Sequence, residues 1–481
     1  MQLVRICAIA MAIAMASLPV GAHELILRYE LPIPFRLYAF ACAATLAVTF
    51  VVFGWFMRTP TGESRQPTSQ GDHAVGSISP GWLRLLRALA LACLGVTIVA
   101  GLVGTADPDT NLGPTLFWQV FLLGFVFLTA VIGDVFEFLN PWRTVVDRWI
   151  SDKKPPLLTY PPAFGYWPAV LLYVAIAWTE LFTQPHPRTI AVVLLGYSFV
   201  TWGGALVFGK VVWFRYGEVF SVLLRLVGAL APFYYRPLRK RGPMAIYVRP
   251  PFVGVLDEKV TRMSLVVFIL SILSLTTYDG IHLTVLWMGL FWNYLLPLFH
   301  PLWNADLSST QAGWERLFSG YQRLGLVLSP FLYLAIYWAF LWFTQRAART
   351  SLSLRQLALS FSVSILPIAI AYSIAHNYTL ILTRGYVLPY LFSDPLGRGW
   401  NPLKLAHMGD PPVLDMAQVW HSEVVLILLG HLISIYLAHR IALGLVETRR
   451  HAVLSQLPML VLMVSYTVIG LWVISLPFAL T

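Results

Sequence analysis

The chain has 481 residues, of which 58% are hydrophobic and only 11% charged, with a mean hydropathy of +0.71. Ordinary globular domains carry roughly 25% charged residues, so a soluble fold is excluded, and bilayer crossings of about 20 residues each account for most of the length. The net charge of +11 does not point to a nucleic-acid partner, because the Lys and Arg fall mostly in short connections, the pattern that orients membrane helices.

Residues 1–22 read as a signal peptide: Arg5 supplies the positive end, Ile6 to Ser17 the apolar core, and Val20-Gly-Ala22 the small-residue cleavage site. Cleavage would leave a single polytopic membrane domain, 23–481, with His23 as its first residue and that end outside the cytoplasm. The expected crossings are 36–57, 82–104, 114–133, 163–183, 188–209, 263–280, 322–344, 356–380, 421–443 and 455–478. Arg- and Lys-bearing connections (58–87, 143–154, 210–262, 346–355, 447–450) then alternate with acidic or uncharged ones such as Asp107-Pro-Asp109. The stretches 217–232, centred on Arg225, and 281–300 read as interfacial or re-entrant, and 381–420 as a large outer loop rich in Gly and Pro. The predicted fold class is an all-α integral membrane protein of about ten transmembrane helices, within a range of nine to twelve, whose main partner is the lipid bilayer. Cys7, Cys42 and Cys93 lie in hydrophobic stretches, so neither a disulfide framework nor a thiolate metal site is expected.

This topology gathers His23, Asp279, His282, His300, His376, Asp394, His407 and His421 on the outer face. Ionisable groups are costly in lipid, which makes His376 and His421, expected at helix ends bordering the 381–420 loop, the leading catalytic candidates. Asp279, the one acid in its span, can hold a histidine tautomer, bind a metal or act as a base. A terminal His23 offers both α-amine and imidazole, ligands that suit a divalent copper or zinc ion, so His23, His376 and His421 form the candidate metal set. Glu423 reads as compensation of a helix dipole, Asp394 in Ser393-Asp-Pro-Leu-Gly as a turn-former or a carboxylate base, and His431 as interhelical glue or a haem ligand. Nucleotide-binding, GxSxG, HExxH, CxxC and Rossmann signatures are absent from the sequence.

The chain resembles the bacterial membrane-protein family that carries the name fenitrothion hydrolase. The resemblance rests on His23 followed by Leu31-Pro-Ile-Pro34, Leu139-Asn-Pro-Trp-Arg143, Gly165-Tyr-Trp-Pro168 with Trp178-Thr-Glu-Leu181, Thr277-Tyr-Asp279, Ala375-His376 with Tyr378, Ser393-Asp-Pro-Leu-Gly397, and Gly430-His431 with Ala438-His439. It departs after His23, where the family is glycine-rich, and in Asn377. The resemblance implies a multi-pass protein of the bacterial inner membrane that hydrolyses lipophilic aryl organophosphate triesters at its periplasmic face. Metal-assisted water attack and a second membrane or periplasmic subunit fit that chemistry. Two other classes stay open on the residues alone: a transporter or metal-handling permease, and the membrane subunit of a redox complex.

Overall fold

A computed structural model describes residues 32–56, 73–151, 155–183, 186–239, 242–299, 311–348, 350–400, 402, 414–445 and 449–476. The expected signal peptide and His23, His300 and His407 lie outside the described residues. The principal helices are α1 (Phe35–Phe56), α2 (Pro80–Val103), α3 (Leu112–Ile132), α4 (Trp167–Phe182), α5 (Pro187–Phe208) and α6 (Val219–Gly228). They are followed by α7 (Met263–Ile281), α8 (Val285–Leu298), α9 (Gln311–Ala348), α10 (Leu354–Gly385), α11 (Met416–Leu445) and α12 (Arg449–Ile474). Among the described residues nine of these, all except α4, α6 and α8, contain a stretch long and apolar enough to cross a membrane. The protein is therefore an all-α polytopic membrane protein. Nine of the ten expected crossings fall on those helices, and the tenth, 163–183, falls on the 16-residue α4.

Local sequence explains where the helices start. Ser79 caps α2 by accepting the Trp82 N–H, with Pro80 in the first turn, and Ser353 and Gln356 form a reciprocal capping box at the start of α10. In α3 the stretch Thr115–Phe125 is wound as a π-helix. At about 4.4 residues per turn, positions four apart come nearly into line. Phe117, Phe121 and Phe125 accordingly stack one on the next, with centroids 6.4 and 6.0 Å apart.

The helices are not equivalent. Of their most apolar stretches, α7 and α10 bury 78% and 72% within the protein, against 22% for α1 and 17% for α2, so α7 and α10 form the centre and the latter two face lipid. α7 packs against α4, α9 and α10, and α10 against α11. The last contact is close because Gly430 has no side chain: a Cβ there would meet the Ala371 Cβ at 2.5 Å and the Pro367 carbonyl at 2.9 Å.

Two ends of the bundle are tied separately. At one, a small antiparallel sheet in the order β1 (Gly76–Ile78), β3 (Met244–Val248), β2 (Phe233–Pro237) joins the 58–87 and 210–262 connections. An ion pair of 2.8 Å between Lys210 and Asp147 adds a third connection. At the other, the Thr105 N–H donates to the Leu396 carbonyl at 2.8 Å, and Arg384 pairs with Asp109.

Two expected segments take a more specific form. Helix α6, within the stretch read as interfacial or re-entrant, is enclosed by protein: eight of its ten residues are buried. Glu218 caps it, accepting the Phe220 and Ser221 N–H groups at 3.0 and 2.7 Å, and also bonds Tyr197 and Asn140. The outer loop is shorter than 381–420, because α10 runs on to Gly385 and α11 begins at Met416. Arg384 suits the last turn of α10, and Asp415 accepts the Ala417 N–H at 2.9 Å, so helix continues past the apolar runs that marked the expected ends.

Candidate functional site

The two central helices carry the candidate site. Asp279 lies two residues before the end of α7, and His376 about two and a half turns inside α10, not at its edge as the sequence suggested. Their side chains meet: His376 Nε2 is 3.0 Å from Asp279 Oδ2, with both groups only partly exposed. Asp279 accepting from Nε2–H fixes the imidazole tautomer and leaves Nδ1 as the basic nitrogen. Tyr372, one turn before His376 on α10, lays its ring parallel to the imidazole, and its buried hydroxyl has no hydrogen-bond partner among the described residues.

Two further carboxylates interact electrostatically with this pair. Glu180, exposed near the end of α4, interacts with both Asp279 and His376. Glu423, buried two turns into α11, interacts with His376. The sequence gives Glu180 no role beyond its motif and suggests helix-end compensation for Glu423. The available signal was that each is an acid within a helix otherwise almost free of charge. Its partners are separated from it by too much sequence for spacing to reveal them.

His421 stands apart. Its Nε2 is 3.1 Å from the Tyr38 hydroxyl and its Nδ1 is 2.5 Å from the Ala417 carbonyl, so both nitrogens are engaged away from His376. The structure brings Asp279 and His376 together and leaves His421 beside α1, in place of the expected convergence of two histidines. Among the described residues no three His, Cys, Asp or Glu side chains are grouped to hold a metal ion. Of the expected copper or zinc set, His421 has both nitrogens engaged, His376 keeps Nδ1 open, and His23 lies outside the described residues.

The remaining candidates have structural partners. Asp394 is buried and accepts the N–H groups of Arg398, Gly399 and Trp400 at 3.0, 2.6 and 3.0 Å, which makes it the former of a turn containing Gly397 and Gly399 at φ +64° and +81°. His282 donates Nδ1–H to the Asp279 carbonyl at 2.8 Å and stacks on Tyr278. His431 donates to the Ile427 carbonyl at 2.8 Å from a buried position in α11. No family model matches the chain, and no curated protein or solved structure does either.

Proposed function

We propose that Asp279 and His376 form the acid–base centre of a membrane-embedded hydrolase, acting on a lipophilic aryl phosphotriester of the fenitrothion kind. The observation that carries this reading is the 3.0 Å Asp279–His376 contact between the two most enclosed helices, where a charged pair without a task is costly. The substrate class comes from the family resemblance. In the reaction, His376 Nδ1 takes a proton from water while the water oxygen bonds to phosphorus. The aryl P–O bond breaks, and a nitrophenolate leaves with the bonding pair. Asp279 holds the imidazole and offsets the charge it gains. The apolar helix faces around the site suit a substrate that partitions from the bilayer.

The test is nitrophenol release by membranes expressing the chain, alone and with its genomic neighbours. His376→Gln is expected to lower the rate by roughly 10²–10⁴-fold at normal membrane expression, and His73→Ala, at an exposed position in the opposite half of the topology, to leave it unchanged. Near-normal release from His376→Gln would overturn the assignment.

A second reading is supported by Glu180 and Glu423, since a hydrolytic pair does not itself need two more carboxylates. It is a proton-coupled or cation permease with the same cluster as its entry site. Uptake by proteoliposomes that depends on a pH gradient, without triester hydrolysis, would favour it. In either reading the His376 end faces the periplasm across the bacterial inner membrane. A membrane-impermeant thiol reagent applied to cells with a permeabilised outer membrane should label Trp400→Cys and spare Leu238→Cys, both positions being more than half exposed. The reverse pattern would invert the topology.

A further inference from the structure

At the sheet-bearing end, remote in sequence from Asp279 and His376, lies a cavity of about 410 Å³, within the usual range for small-ligand sites. Eight charged side chains line it: Arg143, Arg215, Arg225 and Arg249 with Asp134, Glu137, Asp257 and Glu258. One pair is already committed to the fold. Arg249 caps the C-terminal end of α6, donating to the carbonyls of Gly228, Ala229 and Ala231 at 3.1–3.2 Å, and Asp257 is the carboxylate that acts on it most strongly. Three guanidinium groups and three carboxylates remain around the space.

Arg225 is the decisive member. It projects from the enclosed helix α6, and its Nε is buried without a hydrogen-bond acceptor. Among the described residues its terminal nitrogens reach the Arg215 carbonyl and the Tyr166 hydroxyl, each at 3.4 Å, and its Nε is 3.8 Å from the Glu258 carboxylate. A guanidinium carries five donors in a fixed fork, and leaving them poorly satisfied away from water is costly. This fork has capacity for a planar or tetrahedral oxyanion. The wall also carries Asp134 and Glu137, which would repel a simple anion and attract an ammonium. With groups of both signs on its wall, the site is complementary to a ligand that carries an oxyanion and an ammonium together. Val211, 71% exposed and three residues beyond the end of α5, also lines the cavity.

We propose that this cavity binds a zwitterion of the phosphoethanolamine type, its phosphate on Arg225, Arg215 and Arg143 and its ammonium on Asp134 and Glu137. The ligand is either free or the headgroup of a bilayer phospholipid. The site is independent of the chemistry at His376.

The full chain purified in detergent, at a pH above the value of about 7 to which Asp134 is pushed, is titrated calorimetrically with phosphoethanolamine, phosphocholine and inorganic phosphate. Phosphoethanolamine should bind one to one and roughly tenfold or more tightly than the other two, because only it brings both a phosphate and an ammonium that can donate hydrogen bonds. Arg225→Gln and Arg215→Gln should each weaken it by roughly tenfold. Arg215 is exposed, so its variant decides the matter if Arg225→Gln fails to fold. Native mass spectrometry from nanodiscs separates the two sources. Retention of phosphatidylethanolamine over phosphatidylcholine, lost in the Arg variants, identifies the lipid, and binding of free phosphoethanolamine without lipid retention identifies the soluble ligand. Phosphate binding as tight as phosphoethanolamine, no binding of either probe, or binding indifferent to folded Arg variants would overturn the proposal.

Discussion

The two ends of this bundle bury charge by different means. Near one end, Asp279 and His376 satisfy each other directly across the most enclosed pair of helices. At the other, two charged residues on one short buried segment are treated unequally. Glu218 is fully buried and bonded to Tyr197, Asn140 and two backbone N–H groups, while Arg225, seven positions on, is left with long contacts beside a cavity. A mutually satisfied pair has a fixed geometry, which suits proton transfer. A charge with spare donors suits a ligand that arrives and leaves. Glu218 shows that the fold can complete a buried charge, so the incomplete state of Arg225 calls for its own explanation.

The comparison breaks first if Asp279 and His376 do not act as one unit. Asp279→Asn combined with His376→Gln should lose the same roughly 10²–10⁴-fold of nitrophenol release as His376→Gln alone, because removing either partner disables the other. Additive losses in that cycle would separate the two residues. Next in size is the structural role of Glu218. Glu218→Ala leaves the Tyr197 hydroxyl and the cap of α6 without an acceptor and Asn140 with the Ser221 hydroxyl alone, and should cost on the order of 3 kcal/mol, read as a clear drop in Tm in detergent. A Tm within a degree or so of the parent would show the network to be dispensable.

A third test is a pH slope. Burial, with Glu137 beside it, pushes Asp134 up to about 7 from its ordinary value of 3.8. Between those values the folded protein holds a proton that the unfolded chain has released. The contribution of Asp134 to stability therefore falls as pH rises from about 4 to about 7, and it stays lost above that. Asp134→Asn should flatten the Tm–pH profile in that window, and an unchanged slope would assign it to another group.

Much of the fold was legible in the sequence. Apolar runs of span length marked nine helices among the described residues, and the alternation of Arg-bearing connections sorted them onto ends that the sheet and the Lys210–Asp147 pair bear out. Where helices stop was less legible. Hydropathy registers where lipid ends, whereas Arg384 and Asp415 are compatible with helix beyond it, so His376 and His421 seemed to lie at edges. The site was half legible. Asp279 and His376 stood out as ionisable groups inside apolar runs. Their pairing across 97 positions, and the turning of His421 toward Tyr38, depend on helix packing that periodicity does not encode. The Arg225 cavity was hidden for a different reason: its arginines look like the topogenic charges of any inner connection, and only burial distinguishes the one that is not solvated.

The enclosure of α7 also bears on how such a chain can drift in descent. Along α2 most side chains meet lipid, which asks for apolarity and tolerates any size, so Leu, Val, Ile and Phe should exchange freely there. Along α7, 78% of whose most apolar stretch is buried among other helices, a substitution has to fit a volume already filled on every side. Relatives of this protein should therefore preserve bulk at positions such as Phe268 and Leu265 while varying it along α2, and a family profile built on hydropathy alone would weight these two helices in the wrong order.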